Sequence, residues 1–227
     1  MKALVTGARG GIGRALVARL REEGYDVLEL DLPEFDVTQP ESWEALDGPF
    51  DVACLNAGVT TSTGGDITQL TDDAYRHAVS VNVDGIVFGT RALMTRMRGD
   101  AAIVATASLA GLMEIHTDPV YGLTKHAVIG FVRSVAPQLE ERGIRINAVC
   151  PGLVDTSMVD PMRPALGDFP LIPPADVADA AMRAIRSGES GRAWIVQPGI
   201  PGEEYRFRGV PGPRTAGAEG VAPPLPR

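Results

Sequence analysis

The stretch Lys2-Ala3-Leu4-Val5-Thr6-Gly7-Ala8-Arg9-Gly10-Gly11-Ile12-Gly13 decides the fold. It opens with an apolar run of strand length, Lys2–Thr6, and ends where an amphipathic run of helical period begins, Gly11–Glu23. The glycines between them let the backbone turn sharply and approach a ligand closely. The helix amino terminus adds free N–H donors and the positive end of its dipole. Strand, glycine loop and helix in this order make a cradle for the pyrophosphate of a dinucleotide. Gly7, Arg9, Gly11, Ile12 and Gly13 are its candidate contacts.

Working outward, a second strand is expected at Asp26–Asp31, with Asp31 falling eighteen residues after Gly13. A carboxylate there accepts hydrogen bonds from the adenosine ribose and repels a 2′-phosphate, which favours NAD over NADP. The plainer reading is that Asp31 begins a turn. Only Leu32, Pro33, Glu34 and Phe35 separate it from Asp36-Val37, too few for the crossover that a parallel sheet needs. Either the next strand is vestigial or that edge of the sheet is missing.

Further along, short apolar runs alternate with longer amphipathic ones, as in parallel βαβ units. Strands are expected at Asp51–Asn56, Ala102–Ala107, Ile144–Cys150 and Ala193–Gln197. Helices are expected at Asp72–Arg98, Val120–Glu141 and Ala175–Ser187, closed by the glycines at 24, 99, 143 and 188. The pattern predicts one α/β domain, a doubly wound parallel sheet with helices on both faces, shortened between the second strand and Asp36. It occupies residues 1–200, and residues 201–227 form an irregular Pro/Gly-rich tail anchored by Tyr205 and Phe207, with its last dozen residues disordered.

The 227 residues suit one large domain, and a formal charge of −8 argues against nucleic acid or an anionic membrane as partner. There is no signal-peptide core and no run of about 20 apolar residues, so a cytoplasmic protein is expected. Cys54 and Cys150 should end strands separated by a third, roughly 10 Å apart and beyond disulfide reach. They read as buried hydrophobes. His77, His116 and His126 lack metal-ligand spacing, so no metal is expected.

Tyr121 and Lys125, in Tyr121-Gly122-Leu123-Thr124-Lys125, share a helix face. Service as a base at neutral pH calls for a phenol shift of roughly 3 units, about 4 kcal/mol, toward phenolate. A neighbouring ammonium and a cationic nicotinamide both favour that form. Alone, the spacing is common on solvated helices.

Taken with Thr6-Gly7-x-x-x-Gly11-x-Gly13, Asn56-Ala57-Gly58, Asn82, Ser108 and Pro151-Gly152, it resembles the short-chain dehydrogenase/reductase family from Lys2 to about Gln197. The resemblance implies a Rossmann-type fold and a catalytic set of Asn82, Ser108, Tyr121 and Lys125. Tyr121 would be the acid/base, Ser108 would hold the reacting oxygen, and Lys125 would bind the nicotinamide ribose. Asn82 would hold a water in a proton relay to the lysine. It also implies that Asn56-Ala57-Gly58 line the adenine-ribose side and that Asp36-Val37 contact adenine. Pro151, Gly152, Val154 and Thr156 would lie beneath the nicotinamide. A closer likeness, through Ser108-Leu109-Ala110-Gly111-Leu112 and Pro119-Val120-Tyr121, is to NAD-linked hydroxyprostaglandin dehydrogenases. Asp118 departs from it, since those enzymes carry a substrate-binding glutamine there.

The expected activity is reversible, NAD-dependent hydride transfer between a secondary alcohol and its ketone. The expected assembly is a homo-oligomer, a tetramer, because the helices Asp72–Arg98 and Val120–Glu141 exceed the length of one sheet face. An NADP-dependent carbonyl reductase, supported by Arg9, and a catalytically silent dinucleotide-binding scaffold are the rival readings. The Met158, Met162, Leu166, Phe169, Leu171 and Ile172 series reads either as a lid packed on its own domain or as cover for a moderately hydrophobic substrate.

Overall fold

The computed structural model describes residues 1–61 and 65–217. Seven strands form one sheet: β1 (Lys2–Thr6), β2 (Asp26–Leu30), β3 (Phe50–Leu55), β4 (Met97–Thr106), β5 (Ile144–Pro151), β6 (Ala193–Gln197) and β7 (Ile200–Glu204). Their order is β2-β1-β3-β4-β5-β6-β7, parallel throughout except for the antiparallel β6–β7 pair. The helices are α1 (Gly11–Glu22), α2 (Pro40–Glu44), α3 (Asp72–Val79), α4 (Gly85–Leu93), α5 (Pro119–Glu140), α6 (Arg163–Leu166) and α7 (Pro174–Arg186).

Strand alternation sorts the core into two layers. Ala3 and Val5 of β1, with Ala102 and Val104 of β4, face α1 and α7. Leu4, Ile103 and Ala105 face the opposite side, where α4 and α5 bury Ile86, Leu93, Val128, Ile129 and Val132. Helices thus cover both faces, as the sequence pattern predicts.

Of the two alternatives for the short second connection, the missing edge is the one found. β2 is the outermost strand, and the chain crosses from it directly to β3. The connection folds back through α2, whose fully buried Trp43 lies edge-on to Phe35, 4.9 Å between ring centres. The indole N–H donates to the Val37 carbonyl at 2.9 Å. Gly89 of α4 makes room for this ring, since a Cβ there would stand 2.7 Å from Trp43. One tryptophan fills the gap beside α4.

Three expectations are corrected. The helix expected over Asp72–Arg98 ends at Leu93 and is interrupted by a π-turn at Ser80–Asp84, so Gly99, at φ +69°, lies in β4 and closes no helix. Gly24, Gly143 and Gly188 do follow α1, α5 and α7 with positive φ. The tail placed outside the sheet contributes β7, because Gly202 lets that strand lie against Ala180 of α7. Beyond it, Phe207 packs on Tyr205 and beneath the Arg133 guanidinium. The last ten residues lie outside the described ones.

Candidate active site

The glycine loop is built as a cradle. Gly7 has φ +62°, and a Cβ on Gly13 would stand 2.0 Å from the Gly7 carbonyl oxygen. A Cβ on Gly11 would stand 2.4 Å from Thr156 Cγ2. Thr156 therefore closes against the loop, and the segment after β5 reaches the start of α1. Asp31 stands beside it at the end of β2, its carboxylate accepting from the Arg9 N–H at 2.7 Å and the Leu32 N–H at 2.8 Å. Its own carbonyl accepts from the Phe35 N–H, so Asp31 begins a turn as well as facing the loop. The Arg9 side chain donates to the Leu32 carbonyl and pairs with Glu34 at 2.8 Å. Asp36 accepts from the Thr38 N–H and hydroxyl, and Val37 is buried against Gly85 and Trp43.

Asn56 ties three strands together at their carboxyl ends. Its amide donates to the carbonyls of Thr6, 3.1 Å, and Gly7, 3.3 Å, while its oxygen accepts from the Thr106 hydroxyl at 3.1 Å. Ala57 seats against Gly7, and Gly58 leaves room for Lys125 Nζ and Asn82 Oδ1, each 3.3 Å from where a Cβ would be.

Ser108 follows β4, and its hydroxyl accepts from the Ala110 N–H and donates to the Pro151 carbonyl at 3.3 Å. Gly152, just after β5, lies against the Gln197 side-chain amide, whose oxygen would stand 2.7 Å from a Cβ there. Val154 is buried and bridges to Ile172, so the lid, residues 157–172, returns to its own root. Of the apolar lid series Ile172 enters the core, whereas Met158 and Phe169 remain exposed.

Tyr121 and Lys125 lie on the first turns of α5, and Lys125 Nζ stands 5.5 Å from the Tyr121 ring. Lys125 is buried and donates to the Thr106 carbonyl at 2.9 Å. Burial pulls its ammonium down to about 8, against a smaller upward pull from the neighbouring Cys150 thiol. Burial pushes the Tyr121 phenol up, with the Asp118 charge adding to the rise and a hydrogen bond with Ser108 opposing it. In the free protein burial thus moves the phenol away from phenolate, the form that Lys125 and a cationic nicotinamide together are expected to favour.

Asn82 sits in the π-turn, fully buried. Its side chain accepts from the Val59 N–H at 2.8 Å and donates to the Val59 carbonyl at 2.9 Å and the Thr124 hydroxyl at 3.0 Å. These bonds leave the side chain committed to protein partners. Any water it helps to hold would sit on the carbonyls that the π-turn releases from regular bonding.

Sequence reasoning missed Thr6, Thr106 and Thr124, the hydroxyls and carbonyls that wire this site together. Thr6 and Thr124 stand inside the motifs themselves, which was the available signal. Asp118 caps α5, its two carboxylate oxygens accepting from Thr61 and the Tyr121 N–H.

A glycine loop of the dinucleotide-binding kind, beside a buried serine and lysine and a partly buried tyrosine at the carboxyl ends of a parallel sheet, defines a class: α/β oxidoreductases. The family model for enoyl-(acyl carrier protein) reductases matches residues 33–168. A diacetyl reductase [(S)-acetoin forming] of Staphylococcus epidermidis is 28% identical over 70% of this chain and 73% of its own. 3β-Hydroxysteroid dehydrogenase 2 of Eggerthella lenta is 29% identical over 71% of this chain and 74% of its own. The crystal structure of a variant actinorhodin polyketide ketoreductase with NADPH superimposes with a TM-score of 0.78 at 27% identity, covering 88% of this chain and 97% of that one. The chain belongs to the short-chain dehydrogenase/reductase family. Membership implies a nicotinamide dinucleotide, and the tight turn that only glycine permits at Gly7, Gly11 and Gly13, ahead of the α1 amino terminus, is the kind of loop that receives its pyrophosphate. Among the described residues no helix is long and apolar enough to cross a membrane.

Proposed function

We propose that this chain is an NAD-dependent oxidoreductase that interconverts a secondary alcohol and its ketone, with Tyr121 as the acid/base. The observation that carries this reading is the convergence of Ser108, Tyr121 and Lys125 beside the glycine loop, wired to it through Thr106 and Asn56. A bound nicotinamide supplies the hydride donor or acceptor. The chain's own residues manage the proton and the geometry. Ser108 holds the reacting oxygen. Tyr121 gives its phenolic proton to that oxygen in reduction and takes it back in oxidation, while Lys125 binds the nicotinamide ribose and offsets phenolate charge. Asn82 keeps the Val59 backbone and Thr124 in register behind the lysine, with the water relay passing along its π-turn.

Gly7, Arg9, Gly11, Ile12 and Gly13 would take the pyrophosphate side, Asp31 the adenosine ribose, and Asp36 and Val37 the adenine. Asn56, Ala57 and Gly58 would line the ribose side, and Pro151, Gly152, Val154 and Thr156 the nicotinamide. The substrate is a small neutral alcohol or ketone under the Met158–Phe169 lid. The protein is read as a cytoplasmic homotetramer whose catalytic domain runs through β7, with the residues after Glu204 outside it. The second reading, an NADP-dependent carbonyl reductase, is favoured by the NADPH named with the actinorhodin ketoreductase. Turnover of a panel of secondary alcohols and ketones with each cofactor, on the wild type and Tyr121→Phe, separates the two. Turnover with neither cofactor would remove both.

A further inference from the structure

The lid, residues 157–172, has little to hold it down. Between Val159 and Ile172 no residue is buried, and α6 buries none of its own. Prolines at 161, 164 and 170 restrict the backbone but bring no N–H to bond with. The far end is fixed, because Ile172 donates to the Leu153 carbonyl at 2.8 Å and accepts from the Asp155 N–H at 2.9 Å. The middle depends on one side chain. Arg163, the first residue of α6, pairs through Nε with Asp160 at 2.7 Å and through Nη2 with the Asp155 carboxylate. The bond to Asp160 stays within the lid. The bond to Asp155 crosses back to its root, and among the described residues no other ion pair does so.

Asp155 sits where such a tie matters. Val154 before it is buried, and Thr156 after it closes against Gly11 of the glycine loop. Both neighbours belong to the segment read above as lying beneath the nicotinamide. Arg163 is also the single cation between Arg145 and Arg183, so the chain offers Asp155 no nearby substitute. Covering a bound cofactor costs less when the cover and the backbone that touches it are already joined.

We propose that Arg163 is a positioning residue: through Asp155 it fastens the middle of the lid to the Val154–Thr156 segment, so that both hold one arrangement before the dinucleotide arrives. The proposal rests on the dinucleotide site read above. Arg163 and Asp155 are each roughly half exposed, and such a pair biases a local equilibrium by up to about fivefold. That is minor for the whole fold and large for a segment with two buried anchors.

Two measurements test it. Calorimetric titration with NADH and with NADPH reads cofactor affinity, and thermolysin cleavage before Leu166 or Phe169 in the cofactor-free protein reads lid opening. Arg163→Gln and Asp155→Asn should each weaken the preferred dinucleotide by about two- to fivefold and speed cleavage by a similar factor, with the urea midpoint unchanged. The double variant should go no further than the larger single one, because both remove the same bond. About 0.5 M salt should close the gap in affinity between wild type and variant, whereas a packing role would keep it open. Unchanged affinity in Arg163→Gln overturns the proposal, as do single effects that multiply in the double variant. A wild type that binds neither NADH nor NADPH would overturn the site reading instead, and equal cleavage of the two free proteins would then dispose of the tie.

Discussion

The Arg9 guanidinium lies 2.8 Å from the Glu34 carboxylate and donates to the Leu32 carbonyl, so the cation of the glycine loop is folded over the turn that follows Asp31. This bears on cofactor choice, because Arg9 is the residue that would welcome a 2′-phosphate. Both partners are more than half exposed, and such pairs are worth about 1 kcal/mol or less. Asp31 opposes the phosphate more strongly: about 4 kcal/mol for unit charges 4 Å apart at an effective dielectric near 20. A third of that still gives about a tenfold preference for NAD. We expect kcat/KM to favour NAD by at least about tenfold, and Asp31→Ala to narrow the gap mainly by weakening NAD. Glu34→Gln, which frees Arg9, should improve NADP by no more than about fivefold. Paired steady-state kinetics on both cofactors check this, and a wild-type preference for NADP would reverse the assignment.

Tyr121→Phe removes the proton-transferring oxygen and keeps the ring. It should leave NAD binding nearly intact and lower kcat by about two to four orders of magnitude. Equilibrium titration of the cofactor beside steady-state turnover reads the two effects separately. Near-normal kcat would remove Tyr121 from the chemistry.

Much of this was legible in the sequence because glycine and hydrophobic period are local signals. The β1–loop–α1 unit, the parallel core strands and the missing edge after Asp31 follow from residues adjacent in the chain. What escaped depends on distant partners. Ile200–Glu204 is poor in strand-forming residues and becomes β7 because β6 offers an unpaired edge and Gly202 fits against Ala180. The π-turn at Asn82 belongs to contacts with Val59 and Thr124 that no helical pattern announces. Most instructive is the Tyr121–Lys125 pair: the spacing put both residues on the first turns of one helix, but spacing carries no dielectric, and in the free protein burial pushes the phenol up and the ammonium down.

Gly130 stands in the middle of α5, exposed, and a Cβ there would meet nothing within 4 Å. A mid-helix glycine costs about 0.5–1 kcal/mol relative to alanine, and a lone subunit has no steric use for it. Leu123, half exposed two turns earlier, lies on the same helix face. A second copy packing closely on α5 accounts for both. Light scattering at micromolar concentration should give an oligomer for the wild type and a smaller species for Gly130→Glu. A monomeric wild type would end the oligomer reading.

Lys125 should be a residue whose function is held against stability. Its folded pKa of about 8 lies below the ordinary lysine value of 10.5 because the ammonium is buried, with the Thr106 carbonyl accepting its hydrogen bond. Below pH 8 the group is charged in both states, and folding bears the whole desolvation penalty. Between about 8 and 10.5 the unfolded chain keeps the proton that the folded one releases, so the penalty fades and stability rises with pH. A shift of this size corresponds to about 3 kcal/mol, from which the lost hydrogen bond to Thr106 takes back about 1. Lys125→Met, similar in length and apolar, should therefore raise the urea midpoint of the cofactor-free protein at pH 7, by the equivalent of about 2 kcal/mol, while abolishing turnover. The advantage should shrink steadily as the pH is raised to 10. Cys54 and Cys150, pushed up to about 12 by burial, ionise near 9 in the unfolded chain and oppose this rise in the same window, but both are present in wild type and variant, so the comparison of the two proteins isolates Lys125. A variant less stable than wild type at pH 7 would mean that Lys125 anchors the fold as well as the site, and that its ammonium is held by more than the Thr106 carbonyl.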